Sequence, residues 1–191
     1  MMYRLIRTAI LSAMVWSAVI FSSQASAWGP SPAHARTMVG WHPGTIGLYQ
    51  HHVSGNTDGG NPCSTAYCNM VSLRDRAVMW RSWWGHKGAT ATYANHTMIA
   101  AMEAMIWEHY HRYSVSAIAG GSHSTYSHHY NGDAFDVPEI AGTPVSYSDP
   151  HHNAFMQFCR NYGAQEVLGP GNAGHSNHVH CAKFAPYNVW N

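Results

Sequence analysis

The stretch Gly120-Gly-Ser-His-Ser-Thr-Tyr-Ser-His-His-Tyr-Asn-Gly-Asp-Ala-Phe-Asp-Val-Pro138 concentrates His, Asp, Ser and Gly beyond what a connecting loop requires. Within it Ser127, His129, Gly132, Ala134 and Asp136 follow the spacing S-x-H-x-x-G-x-A-x-D, an imidazole and a carboxylate on either side of a glycine turn. A second His-rich stretch, Gly174-His-Ser-Asn-His-Val-His-Cys181, places His178 and His180 two residues apart. In a strand both rings project from one face while Val179 points to the other. The two stretches read as the halves of one metal site.

The flanking sequence supplies strands to carry these halves. Ser114–Ala119 is β-prone and ends at Gly120-Gly121, and Ala134–Val137 alternates so that Ala134 and Asp136 share one face and Phe135 and Val137 the other. Pro138 stops the pairing. Asp149-Pro150 opens a helix with Phe155, Phe158 and Tyr162 on its apolar stripe and Gly163 at its end. Gln165–Leu168 and Asn177–Phe184 then form a hairpin around Gly169-Pro-Gly171. Upstream, Met98, Ala101, Met102, Met105, Ile106 and His109 recur at helical steps within a helix expected over Thr92–Tyr113. Its methionines read as core filler. Another helix is expected from Ser72, with Asp75 completing a capping pattern, to Gly85. Trp80, Trp83 and Trp84 within it read as core, with sugar stacking as the alternative. Residues 28–70, rich in Gly, Pro, His, Ser and Asn without a period, read as an irregular arm. Helices interleaved with strands that close in a hairpin give an α+β domain over 71–191, a small antiparallel sheet with helices packed behind it.

Only 10% of the 191 residues are charged and the formal charge is +1, which argues against nucleic acid as a partner. Arg4 and Arg7, an apolar run from Thr8 to Phe21 and the small residues Ala25-Ser26-Ala27 form a secretory signal peptide over 1–27, cleaved after Ala27. No later stretch is long and apolar enough to span a membrane, so a secreted or periplasmic protein without stable membrane insertion is expected. Export makes disulfides the expected state of Cys63, Cys68, Cys159 and Cys181, paired Cys63–Cys68 and Cys159–Cys181 among three possible connectivities. The alternatives are a thiolate zinc site and a catalytic cysteine, although C-x-x-x-x-C is not a usual zinc spacing.

Catalytic zinc commonly takes three His or acidic ligands and leaves a fourth position open. His129, Asp136 and His180 supply that set if the two strands lie side by side. Gly132 lets the loop fold His129 back over them, and His178 is left beside the site to move a proton or stabilise an oxyanion. The remaining histidines, His123, His128, His151, His152 and His175, fit no template and read as surface or supporting groups. Neither H-E-x-x-H nor G-x-S-x-G occurs.

On these motifs the sequence resembles the zinc peptidases of bacterial cell walls that group D-Ala-D-Ala carboxypeptidases, lysostaphin-type endopeptidases and the Hedgehog metal-binding fold. The resemblance covers residues 92 to 184. It implies a small antiparallel sheet with zinc on its open face, His129, Asp136 and His180 as ligands, His178 as the catalytic histidine, Ser127 as a substrate contact, and hydrolysis of peptide bonds in peptidoglycan. The carboxypeptidases often carry an arginine in an S-G-Y-R-like segment that grips the substrate carboxylate; here the segment reads Ala119-Gly-Gly-Ser-His123. A guanidinium is the natural partner of a carboxylate, so its lack favours an endopeptidase. The other two readings are a metal-dependent cell-wall or glycan-binding module without turnover and a structural exported protein.

Overall fold

The fold is that of a computed structural model, which describes residues 31–53, 63–108 and 112–185. The expected signal peptide at 1–27 lies outside them. The described residues form a mixed α+β structure of small sheets and four helices.

The segment read as an irregular arm carries more regular structure than its composition suggests. Pro32 opens α1 (Ser31–Trp41), and Ala35 and Met38 at three-residue spacing enter the core. After α1 comes β1 (Ile46–Leu48), which pairs in parallel with β4 (Tyr113–Val115). α2 (Ala66–Arg76) starts earlier than expected because Thr65 caps it, accepting from the Cys68 N–H at 3.3 Å. Ser72 therefore lies inside the helix, where its hydroxyl accepts from Trp80 Nε1 at 3.1 Å. The helix ends at Arg76, well before Gly85, because Ala77 turns left-handed and its N–H closes on the Leu73 carbonyl. The rest of that expected helix is a hairpin, β2 (Met79–Trp80) with β3 (Ala91–Thr92). Trp83 at its tip is exposed.

α3 (His96–Glu108) buries Met98, Ile99, Ala101, Met102, Met105 and Ile106, as its period implies. Its start is set by Asn95, whose side chain accepts from the Met98 N–H at 3.2 Å. It stops short of Tyr113, which enters β4 with its hydroxyl bonded to the Met102 carbonyl; His109 falls outside the described residues. β4 continues the first sheet into β6 (Glu139–Ile140) and β7 (Thr143–Pro144), in the order β1-β4-β6-β7.

The second sheet has the antiparallel order β5-β9-β8, with β5 at Ala134–Val137, β8 at Ala164–Leu168 and β9 at Val179–Phe184. A bridge between Ala117 and Asp136 joins it to the chain leaving β4. α4 (His152–Asn161) packs against β8 and β9, and Asp149 caps the turn before it by accepting from the His151 N–H. The sheet is two-sided as alternation requires. Phe135, Val137, Val179 and Cys181 enter the core with Phe155 and Cys159 of α4, while Asp136 and His180 belong to the opposite face. Both expected disulfides are present: Cys63–Cys68 closes a short loop, and Cys159–Cys181 ties α4 to β9. Among the described residues no helix is long and apolar enough to cross a membrane.

Candidate metal centre

Register brings two of the expected ligands together. Asp136 and His180 are directly opposed in the β5–β9 ladder, and His180 Nδ1 lies 2.8 Å from Asp136 Oδ1. The third comes from a 3₁₀ turn, His128–Asn131, whose left-handed exit at Gly132 returns the chain to β5. A methyl group at Gly132 would fall 2.1 Å from the Tyr93 carbonyl oxygen, so this turn admits glycine alone. His129 is thereby delivered with Nε2 3.2 Å from Asp136 Oδ2 and 3.2 Å from His180 Nδ1. His129 Nδ1 donates to the Ile118 carbonyl at 2.6 Å, which fixes the tautomer and leaves Nε2 bare.

Two imidazole nitrogens and a carboxylate thus face one another, nearly buried, at the floor of a cleft. Zinc bonds of about 2.0–2.1 Å in a tetrahedron separate neighbouring donors by about 3.3 Å, close to the 2.8–3.2 Å found here. In donor type and spacing the set fits such an ion. Burial works to raise the Asp136 carboxyl, but His129 and His180 beside it hold it well below the usual carboxylate range. Burial likewise opposes charge on His180, but the bond to Asp136 and the nearby Glu166 raise it above its ordinary value.

His178 stands just ahead of β9 at the rim, its Nε2 3.9 Å from Asp136 Oδ1. Its Nδ1 donates to Asn177 Oδ1 at 2.9 Å, leaving Nε2 as an acceptor. Burial lowers its pKa, which favours the neutral ring. Ser127 lines the cleft, and its hydroxyl caps the 3₁₀ turn by accepting from the His129 N–H. The cleft in front of these groups has a volume of about 620 Å³ and is lined by the hydroxyls of Ser116, Ser122, Ser124 and the exposed Tyr126, by the amide of Asn177, by the Glu166 carboxylate and by imidazoles that include His128 and His175. No lysine or arginine is among the described residues lining it.

Several residues that shape the site gave no signal in the sequence. His123, read as a surface or supporting group, stacks on His129 with ring centres 3.8 Å apart and planes 8° apart. Together His123, His129 and Asp136 offer ligand atoms all within 4.8 Å of one another, a His-His-Asp group able to hold a metal ion. This group shares His129 and Asp136 with the expected set. The two sets differ in whether His123 or His180 completes them. Burial, and then the neighbouring His129, push the His123 ring down to about 3. Tyr130 holds both sides of this loop: its hydroxyl donates to the Gly121 carbonyl and accepts from the His123 N–H, and its own carbonyl accepts from the buried Arg81 of β2–β3. Arg81 also donates to Thr90 and to the Ala91 carbonyl. His175 stands beside His178 and His180, with ring centres 4.9 and 5.6 Å away. Only a motif with long-range pairing information would have marked Arg81 or Tyr130.

Comparison of the chain with protein-family models, with curated proteins and with solved structures finds no match.

Proposed function

We propose that the protein is an exported zinc peptidase of the Hedgehog and D-Ala-D-Ala peptidase type that cleaves peptide bonds of bacterial peptidoglycan. The observation that carries this reading is the convergence of His129 Nε2, Asp136 and His180 Nδ1, separated by 2.8–3.2 Å, at the floor of an open cleft. When bound, zinc supplies Lewis-acid polarisation of a peptide carbonyl and activation of water. The protein's part is then one of positioning and proton transfer. His129 is oriented by the Ile118 carbonyl, and His178 offers an acceptor Nε2 on the cleft side, where it takes a proton from the attacking water or passes it to the leaving amine.

The chemistry of the cleft supports an internal bond as the target. A free terminal carboxylate calls for a guanidinium or ammonium, whereas hydroxyls and amides suit the neutral amides of a peptide bridge. A specific observation also favours a second reading, a module that holds the metal without turnover: His123, stacked on His129, can provide a further protein donor and close the position that catalysis requires open. Digestion of purified peptidoglycan by the zinc-loaded protein, with products identified by mass spectrometry, separates these. Cross-bridge or stem fragments are expected. Release of terminal D-Ala alone would make it a carboxypeptidase, and no product from a protein that holds one zinc would leave the binding module.

A further inference from the structure

His180 has two ring nitrogens and both are engaged. Nδ1 faces the donor cluster; Nε2 points away from it, 3.5 Å from Glu166 Oε1. Glu166 sits on the neighbouring strand β8, opposite Ala182, so the strand pleat puts it on the same sheet face as His180. Its other oxygen, Oε2, receives Lys183 Nζ at 2.8 Å. By alternation Lys183 would leave from the opposite face, alongside Cys181. Its backbone instead turns left-handed, at φ 56, and its Nζ meets Glu166. Asp133 holds that turn in place by accepting from the Lys183 N–H through its carbonyl and from the Phe184 N–H through Oδ1.

A left-handed lysine costs about 1 kcal/mol or more that glycine would avoid. The resulting ion pair does not offset it, because side chains 30% and 45% exposed sit in a water-screened setting where such pairs are worth little. The arrangement is explained instead by what the anchored carboxylate does to the imidazole beyond it. We propose that Glu166, anchored by Lys183, is a positioning residue for His180: it receives the Nε2–H and so holds Nδ1 bare and aimed at Asp136 and His129. This rests on the reading of His129, Asp136 and His180 as a metal centre.

The test is the zinc dissociation constant of the full mature protein, measured by competition with a chromophoric chelator, for wild type, Glu166→Ala, Glu166→Gln and Lys183→Gly. Removing an outer carboxylate of this kind weakens metal binding about 10- to 100-fold, and that is expected for Glu166→Ala. Glu166→Gln, which still accepts an N–H, should lose less. Lys183→Gly relieves the backbone, so its metal-free form should melt no lower than wild type while its zinc binding weakens several-fold. A purely structural lysine would move both readouts together. The cobalt-substituted Glu166→Ala protein should show shifted visible bands, the mark of a reoriented ligand, and not merely weaker ones. Wild-type binding with all three variants within twofold of it overturns the positioning role alone. A wild-type protein that binds no zinc overturns the metal centre and this role with it.

Discussion

The two walls of the candidate metal centre are built in opposite ways. The sheet wall, Asp136 and His180, is set by register: two neighbouring strands, one ladder, a directly opposed pair, with Cys181 behind it latched to α4. The loop wall, His123 and His129, has no ladder. It is hung from individual side-chain and carbonyl contacts, to the Ile118 carbonyl, through Tyr130 within the loop and from there to the distant Arg81, and turned by a single glycine. Regular structure places a ligand by averaging over many backbone bonds, so losing one side chain leaves the rest in place. A hung loop has few redundant contacts, so the walls should fail differently.

The largest effect expected is on the metal itself. His129→Ala and His180→Ala each remove one of three donors and should weaken zinc binding by at least about 10³-fold, a few kcal/mol, with loss of hydrolysis. Equilibrium dialysis with elemental analysis checks this. The sheet-wall variant should still fold without metal, since the β5–β9 ladder does not depend on the ring, with a melting temperature lowered by the loss of the His180–Asp136 pairing. Full zinc occupancy in either folded variant would show the site to be elsewhere.

The latch behind the sheet wall comes next. Closing the 22-residue separation between Cys159 and Cys181 contributes about 3 kcal/mol, against about 2 kcal/mol for the five-residue Cys63–Cys68 loop. Denaturant unfolding of Cys159→Ser/Cys181→Ser and Cys63→Ser/Cys68→Ser should rank them in that order. The reverse order would mean that the short loop, beside the buried Ser64 against which Gly120 packs, supports the loop wall more than closure entropy allows.

His178 belongs to neither wall. His178→Ala should keep its zinc and its fold while kcat for peptidoglycan falls about 10²-fold, the scale for a lost general base or oxyanion donor. Unchanged turnover with zinc bound would remove it from the reaction. On the loop wall, Gly132→Ala forces a methyl group onto the Tyr93 carbonyl at a left-handed position, and a destabilisation of about 2 kcal/mol or more is expected. A melting temperature equal to wild type would show that the turn can be remade without glycine.

The same contrast explains what was legible in the sequence. Period-two alternation put Asp136 on one face and Phe135 and Val137 on the other, and H-x-H spacing with the neighbouring hairpin gave the sheet wall. Expected export and an even count point the four cysteines to disulfides, with the pairing one of three possible connectivities. Gly132 was legible as a turn. Arg81, Tyr130 and His123 were not: Arg81 bonds a carbonyl 49 residues away, and the contacts of Tyr130 and His123 within their own loop follow no period. α1 was hidden for a related reason. Its 11 residues carry no acid in the first turn and no base in the last, so it is recognisable only from the packing of Ala35 and Met38. The helix expected from Ser72 was displaced because Thr65 caps better and Ala77 stops the chain early.

The finest distinction between the walls is their answer to pH in the metal-free protein. His180, on the sheet wall, is raised above its ordinary value, so its stabilising pairing with Asp136 is fully present below about 6.5 and is lost as pH rises through the folded pKa. His123, on the loop wall, is lowered to about 3, chiefly by burial, so the folded state keeps it neutral while the unfolded chain protonates it below about 6.5. Its contribution is therefore present above about 6.5 and is lost as pH falls toward 3. Between pH 5 and 6 His123 alone should make the unfolded state bind up to about one proton more than the folded state. Denaturant unfolding at pH 5.0, 5.5 and 6.0 should show stability falling toward acid in the wild type, with His178, lowered in the same direction by burial, adding to the slope. His123→Gln, which keeps a polar side chain but cannot titrate, should flatten that fall. His180→Gln should leave it or steepen it, because it removes the group that works in the other direction. If His123→Gln leaves the slope untouched, His123 is protonated or solvated in the fold, and the stacked ring over His129 does not describe the loop wall in solution.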